Sequence, residues 1–457
     1  MSLPSNWASA SILTCGTFIR GVTYKKQEAS TTKKPGYTRL LRANNISNRN
    51  INTEEIVYVP LHNISETQIL QSGDILIATS SGSPSVVGKA AQIKNDTDMS
   101  FGAFCGVLRP YKNLNPEYIG HFFSSKQYRD RISKLARGTN INNIKQEHFE
   151  SIKIPIAPIN EQRRIADKLD RVLARVDAAN EHLSRVAPLI KRFRQSVLAA
   201  ATSGRLTEDW RKHDEYQTAT VRMDEIGKVS GGLTKNTKRA ELPLRKAYLR
   251  VANVYPNEVR LEDVLEIGLT ESEYEKTKLT YGDLLIVEGN GSIDQIGRVA
   301  MWKDELPECS HQNHLIRWRR SNLNIAPEFI LAYLMSPAGR KQIISAAGST
   351  SGLHTLSVSK ISALELNIPP LEEQTEIVRR VEKLFAFADR LEERLSQAQA
   401  AVQKLTPALL AKAFRGELVP QDPNDEPASE LLKRLQENRT DSANPSRARK
   451  PHTRKSP

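Results

Sequence analysis

Residues 158–177 read PINEQRRIADKLDRVLARVD, and residues 369–389 read PPLEEQTEIVRRVEKLFAFAD. They are the best-kept parts of a longer repeat. Residues 154–206 align without a gap to residues 366–418. Of these 53 positions 15 are identical, among them Pro158/Pro370, Glu161/Glu373, Gln162/Gln374, Asp177/Asp389 and Gly204/Gly416. The match continues upstream. Gly73–Asp74 begins GDILIATSSGSPSVVGKA where Gly282–Asp283 begins GDLLIVEGNGSIDQIGRV. Residues 40–46 (LLRANNI) match 248–254 (YLRVANV), and 115–123 (NPEYIGHFF) match 326–334 (APEFILAYL). A period of about 210 residues is too long for a solenoid. The chain is two copies of one module, each a variable globular part followed by a better-kept helical part.

The helical parts carry a seam. Apolar residues recur at Ile165, Leu169, Val172, Val176, Ala179, Leu183, Val186, Ile190, Phe193 and Val197. In the second copy they recur, in the same phase, at Ile377, Val381, Leu384, Ala388, Leu391, Leu395, Ala398, Val402, Leu405 and Leu409. Steps of four and three average 3.5 residues, the signature of a coiled coil. Two matched seams in one chain most simply pair with each other, as a rod of about 60 Å. Asn160 is the expected N-cap of the first helix, and Gly204 and Gly416 are the expected C′ residues. Pro188 and Pro407 fall inside the seams, where a kink or restart is expected.

This divides the chain into a globular domain over 1–157, a central helix over 158–205, a second globular domain over 206–369, a C-terminal helix over 370–415 and a flexible tail over 416–457. Both globular domains mix β-like runs (Ile56–Val59, Asp74–Ala78, Leu284–Val287) with helix-like runs (Pro116–Leu135, Pro327–Ala347). The fold class is therefore α+β, with two similar α/β-mixed domains separated by two long helices. The tail holds one short helix candidate, Ser429–Glu437, and its basic end RARKPHTRKSP is expected to be disordered.

The net charge is +14. Residues 1–157 carry 19 basic and 11 acidic groups, and the first helix 10 and 5, whereas 206–369 carry 21 and 22. An excess on one copy and its helix suits an anionic polymer such as DNA. Three widely spaced cysteines, Cys15, Cys105 and Cys309, argue for a reducing cytosol. No run of 18 apolar residues is present, and MSLPSNW is not a secretory signal, so a cytoplasmic protein without a membrane span is expected.

Catalytic chemistry is weakly signalled. GSPSVVGK at 82–89 has five residues between its glycines and Ala90 where a Mg²⁺-binding hydroxyl should stand, so it is no phosphate loop. It is better explained as a strand followed by a Gly/Ser loop that lets backbone approach a ligand. Asn115–Pro116–Glu117–Tyr118 is similar to the Asn-Pro-Pro-aromatic loop of amino-methyltransferases but lacks the second proline, and suits a helix start with Pro at N1. Cys309, His311 and His314 lack a fourth zinc ligand, and Phe101 and Phe104 stand at the matching places of the first copy. The expectation is a non-catalytic protein without metal. What remains is recognition. In the first copy the candidate DNA-binding residues are Arg20, Tyr24, Lys25, Lys26, Arg42, Asn44, Asn45, Ser81, Ser83 and Lys89. In the second they are Lys235, Asn236, Arg250, Asn253, Asn290, Ser292 and Arg298. Arg and Lys suit guanine edges and phosphates, and Asn suits adenine.

With the order variable domain, helix, variable domain, helix, and with FIRGVTYKK, LLRANNI, SFGAFCGVLRP, GTNINNI and LAKAFRGELVPQ, the chain resembles the specificity subunits of Type I restriction–modification enzymes, HsdS, in their enterobacterial branch. The resemblance implies two target-recognition domains, each reading half of a split, asymmetric DNA site. It implies that the helices form an antiparallel coiled-coil spacer with pseudo-two-fold symmetry. Two modification subunits would dock there, bind S-adenosylmethionine and methylate adenine at N6. Two restriction subunits would add ATP- and Mg-dependent translocation and cleavage. No cofactor is implied for this chain. The spacer residues expected to form the coil and dock partners are Ile165, Leu169, Val172, Val176, Leu183, Ile190, Ile377, Val381, Leu384, Leu391, Leu395 and Val402. The alternative from another class is a scaffold whose repeated domains bind only proteins.

Overall fold

The computed structural model describes residues 3–47, 49–137, 142–211, 215–350 and 353–442. The chain divides into two compact units, residues 1–182 with 398–457, and residues 183–397. Each unit contains a recognition domain together with half of each long helix.

The centre of each domain is a four-stranded antiparallel sheet with the same strand order. In the first it runs Gly16–Arg20, Cys105–Pro110, Ile75–Ala78, Ala90–Gln92. In the second it runs Gly227–Ser230, Leu315–Arg320, Leu284–Val287, Val299–Met301. The runs ILIA and LLIV are continuously apolar because both faces of these strands are covered. Ile75 and Ile77 face the helices Pro116–Phe122 and Lys126–Leu135. Leu76 and Ala78 face a second core with Leu41, Phe101 and Val107. The alternation of period two repeats in the other domain, with Leu284 and Ile286 on one face and Leu285 and Val287 on the other. Each long helix-like run is two helices, because Ser125 and Ser336 are buried caps accepting from Tyr128 N and Gly339 N. Asn115 caps the earlier helix, with Pro116 at N1.

The repeated Gly-Asp pair is structural. Gly73 and Gly282 hold φ of +88° and +87°, which glycine adopts without Cβ strain. Asp74 follows, buried, and accepts two hydrogen bonds from Arg109 and one from Gln71 N, all 2.8 Å. Asp283 makes the same set with Arg319, at 2.7 and 2.6 Å, and Thr280 N, at 2.9 Å. The repeated Glu-Gln pair welds each long helix to its domain. The Gln162 amide accepts from Asn115 N and donates to Ala157 O. Gln374 accepts from Ala326 N and donates to Asn324 O and Pro369 O. Glu161 accepts from Trp7 Nε1 and Gln421 Nε2, and Glu373 from Thr207 Oγ1 and Arg211.

The long helices are Ile159–Thr202 and Leu371–Ala413. Within the first unit, Ile165, Leu169 and Leu173 share a core with Leu410, Ala413 and Phe414. Within the second, Ile190 packs with Ala388 and Leu395, Phe193 meets Phe387 edge-on, and Arg194 pairs with Asp389 and Glu392. Early residues of one helix meet late residues of the other, so the pairing is antiparallel. A second apolar stripe (Ala166, Leu173, Leu198, Ala201) packs into the domain cores. The helices are thus both coil and domain core, a wider apolar face than a strict seam.

Four expectations need correction. Neither helix restarts at proline. Pro188 and Pro407 lie inside unbroken helices, on an exposed face where water can satisfy the carbonyl each proline leaves. Asn160 is inside the first turn rather than at the N-cap, and its amide donates to Asp425. Leu405 is 45% exposed, because the second seam passes through Thr406, Leu409 and Leu410 after Val402. The segment after Gly416 is not a free tail over its first twenty residues. Ala428, Leu431 and Leu435 lie along one face of the helix Ala428–Ser442 and are buried in the first unit's core. Arg164 pairs with Asp425 at 2.7 Å, and Ala428 N donates to Asn6 O. The basic end, 447–457, lies outside the described residues.

Candidate nucleic-acid interface

Each central strand ends in the Gly/Ser loop. In the first domain Ser80–Ser81 pairs with Asn142–Asn143, and Asn142 Nδ2 reaches Ser81 O and Gly82 O. Ser81 Oγ accepts from Ser83 N, and Ser83 and Ser85 share a hydroxyl hydrogen bond at 2.9 Å. In the second domain Gly289–Asn290 pairs with the strand Leu353–Thr355, and Asn290 Oδ1 accepts from Ser292 N. Ser83 and Ser292 are exposed, Ser81 and Asn290 half-buried. Sequence-distant segments therefore converge on each loop, and in the second domain the turn matching LLRANNI, residues 248–254, does so too. Arg298, at the end of the second loop, donates to Val251 O beside Arg250.

In that turn the two candidate types separate. Arg42 and Arg250 are half-buried. Arg250 is held by Asp263, at 2.5 Å, and the Nε of both Arg42 and Arg250 is buried without an acceptor among the described residues. Asn45 and Asn253, expected among the DNA-binding residues, are instead buried braces. Asn45 accepts from Arg42 N and donates to Asn52 O and Glu55 O; Asn253 does the same with Arg250 N, Arg260 O and Asp263 O. Such an amide has no edge left for a base. Asn44 is exposed, against Glu55 at 3.4 Å.

Arg20, Lys25 and Lys26 are exposed, while Tyr24 packs against the core of Val22, Leu40 and Val59. Lys25 opens a 3-10 turn whose backbone is capped by Glu28. Lys235 and Asn236 are exposed in the matching region, where Asn236 caps the turn through Arg239 N. Lys89 is half-buried, and its counterpart Arg298 lies over the Tyr255 ring at 5.4 Å. Phe104 is 68% exposed, and its carbonyl accepts from Thr79 N and Ser80 N at the root of the first loop. At the same place His314 Nδ1 donates to Glu288 Oε2, at 2.7 Å.

His311 stands where the first domain has Phe101, and it is buried. Its Nδ1 meets Thr277 O at 3.0 Å, and Nε2 has no partner among the described residues. Burial, then the charge of Arg317, pushes its pKa down to about 3. The folded state therefore holds it neutral, while the unfolded chain takes up a proton below about pH 6.5. Its contribution is complete above that value and is lost as pH falls toward 3, by about 2 kcal/mol already at pH 5. Replacing His311→Phe should remove this component. Urea midpoints at pH 7.5 and pH 5 test it, and equal acid sensitivity of both proteins would exclude the assignment. Among the described residues no group of His, Cys, Asp or Glu is gathered as a metal would need, and no helix is long and apolar enough to cross a membrane. The three cysteines are free and buried, with burial pushing each thiol up to about 12.

Most of the spacer residues expected to dock partners are occupied within the chain. Ile165, Leu169, Val176, Ile190, Ile377, Val381 and Leu395 are buried, and Val172, Leu183, Leu384, Leu391 and Val402 half-buried. Leu189, Phe387 and Leu405 are outward apolar positions, 51%, 46% and 45% exposed.

Two domains of one topology, each opening the same loop, are matched by the family described as the Type I restriction modification DNA specificity domain, over residues 4–186 and 215–398. The chain belongs to this family. The Type I specificity subunit of EcoKI from Escherichia coli K12 is 41% identical over 427 residues, 92% of this chain and 90% of that one. The StySPI subunit of Salmonella potsdam is 40% identical, with the same coverage. The crystal structure of the HsdS subunit from Thermoanaerobacter tengcongensis superposes with a TM-score of 0.58 at 18% identity, covering 92% of this chain and 99% of that one. A chain solved in work on assembly and conformational transition of the type I R-M system gives 0.65 at 16% identity, covering 92% and 100%. At these identities the Type I structures share the fold.

Proposed function

We propose that this specificity subunit reads a bipartite, asymmetric site on double-stranded DNA, one half per recognition domain, and directs partner subunits to it. The observation carrying this proposal is the doubled domain with the same loop framework and different loop chemistry: SGSPS at 81–85 in one copy, NGSID at 290–294 in the other. A common framework gives equivalent placement, and different side chains give different half-sites. Two modification subunits dock on the spacer, with S-adenosylmethionine bound to them, and methylate adenine at N6. Two restriction subunits bring ATP- and Mg-dependent cleavage. The flipped adenine enters the partner. The complex works in the cytoplasm. Joining two weak readers through a spacer makes the second contact intramolecular.

Co-expression with modification subunits, followed by genome-wide mapping of modified bases, tests this. A split motif with N6-methyladenine in both halves is expected; a continuous motif, or none from a folded complex, would refute it. Within that function Arg42→Ala should weaken binding by about 1–3 kcal/mol for a base-edge contact. The loss should depend on the base pairs of one half-site only. Titration on cognate, half-site-mutated and random duplexes distinguishes this from a phosphate contact, whose loss is equal on all three.

A further inference from the structure

Both recognition loops are gripped from behind by an arginine that sequence inspection passes over. Arg129, on the helix Lys126–Leu135, donates Nη1 to Val87 O at 2.9 Å and Nη2 to Ser85 O at 3.0 Å. Arg340, on the helix Pro337–Ala346, donates Nη1 to Ile296 O at 2.6 Å and Nη2 to Asp294 O at 3.4 Å. The same two loop carbonyls are taken in both units by the same two nitrogens. Both arginines are half-buried, and neither has a carboxylate within ion-pair distance among the described residues. Burial lowers the pKa of each below the usual guanidinium value.

The loop ends on the same helix. Gly88 and Gly297 hold φ of +76° and +64°, and a Cβ on either would strike Ile132 or Ile343 at 2.5 or 2.4 Å. Each loop is thus pinned by a guanidinium fork on two carbonyls and by a glycine packed one turn further along. Between the strand end and these pins only Gly82–Ser85, or Gly291, Ser292, Asp294 and Gln295, are exposed. A planar fork fixes two carbonyls in one geometry, which an ammonium cannot do.

We infer that Arg129 and Arg340 are positioning residues that hold the two recognition loops in shape and so set how sharply each domain discriminates its half-site. This rests on the half-site reading proposed above. Neither arginine need touch DNA. Arg129→Lys keeps the charge and loses the fork. In the full complex with modification subunits, base mapping should show methylation of sites with one mismatch rising about tenfold or more. The rise is confined to the half read by the first domain. Affinity for random duplex, and its salt dependence, should stay as in the wild type, since no phosphate contact is lost. Arg340→Lys should relax the other half alone.

Wild-type discrimination at both halves in either variant would overturn the inference. So would relaxation of both halves together, or a fall in random-duplex affinity with discrimination intact. Should Arg129→Lys fail to fold, Arg340→Lys carries the same test in the other unit. Failure of both would assign the arginines to the core instead. If the wild-type complex itself shows no split motif, it is the half-site proposal that fails, and that result is visible before either variant is made.

Discussion

Excising Ala178–Glu181 from the first long helix should reduce affinity for the natural DNA site by about 10²–10⁴, the gain that tethering confers when the spacing matches. Four residues carry about 6 Å of rise and turn a helix by about 40°. The deletion also displaces the seam of one helix against the other, since Leu183 and Val186, after the cut, then meet the wrong turn of their partner. Each domain keeps its own sheet and loops, so contacts to one half-site should persist. Binding is measured on duplexes whose central gap changes by one base pair at a time. The expected result is loss on the natural gap, with the best remaining gap displaced. An unchanged preferred gap at unchanged affinity would sink the spacer proposal.

The second large effect concerns stability. Arg319→Ala should destabilise the second unit by about 3–5 kcal/mol, the usual cost of orphaning one member of a buried ion pair. Asp283 is the member left behind, with its side chain 1% exposed, whereas the Arg319 side chain is 31% exposed. The converse change, Asp283→Ala, leaves a guanidinium that water can reach and that still donates to Lys278 O. It should therefore cost less. Trp302 and Trp318 are buried in this unit, Trp318 donating to Met223 O, so their fluorescence reports its unfolding in urea. The expected order is wild type, then Asp283→Ala, then Arg319→Ala. A reversed order would mean that the pair matters through Arg319's carbonyl contacts rather than through the buried carboxylate. Replacing both by apolar residues of similar size should recover most of the loss, because no charge is then left unpaired.

Much of this protein was determined by sequence alone. The doubled module, the uninterrupted ILIA and LLIV strands, the paired seams and the αL glycines Gly204 and Gly416 all follow from short-range patterns. Such patterns are legible because apolar period and backbone sterics act within one turn or one strand. The comparisons place the chain in the family that those patterns indicated. Tertiary structure alone decided which polar residues were free. Asn44 and Asn45 are neighbours of one type, yet one is exposed and the other a buried brace, since Asn45's partners lie at Asn52 and Glu55. Glu161 and Gln162 stand out in the repeat, but their role depends on Trp7, Asn115 and Gln421, residues 154, 47 and 260 positions away. The docking of Leu431 and Leu435, and the grip of Arg129 on Ser85 and Val87, have the same origin. A hydrogen bond or buried contact between distant residues has no periodicity to announce it, so its partners become known only when the chain has closed around them.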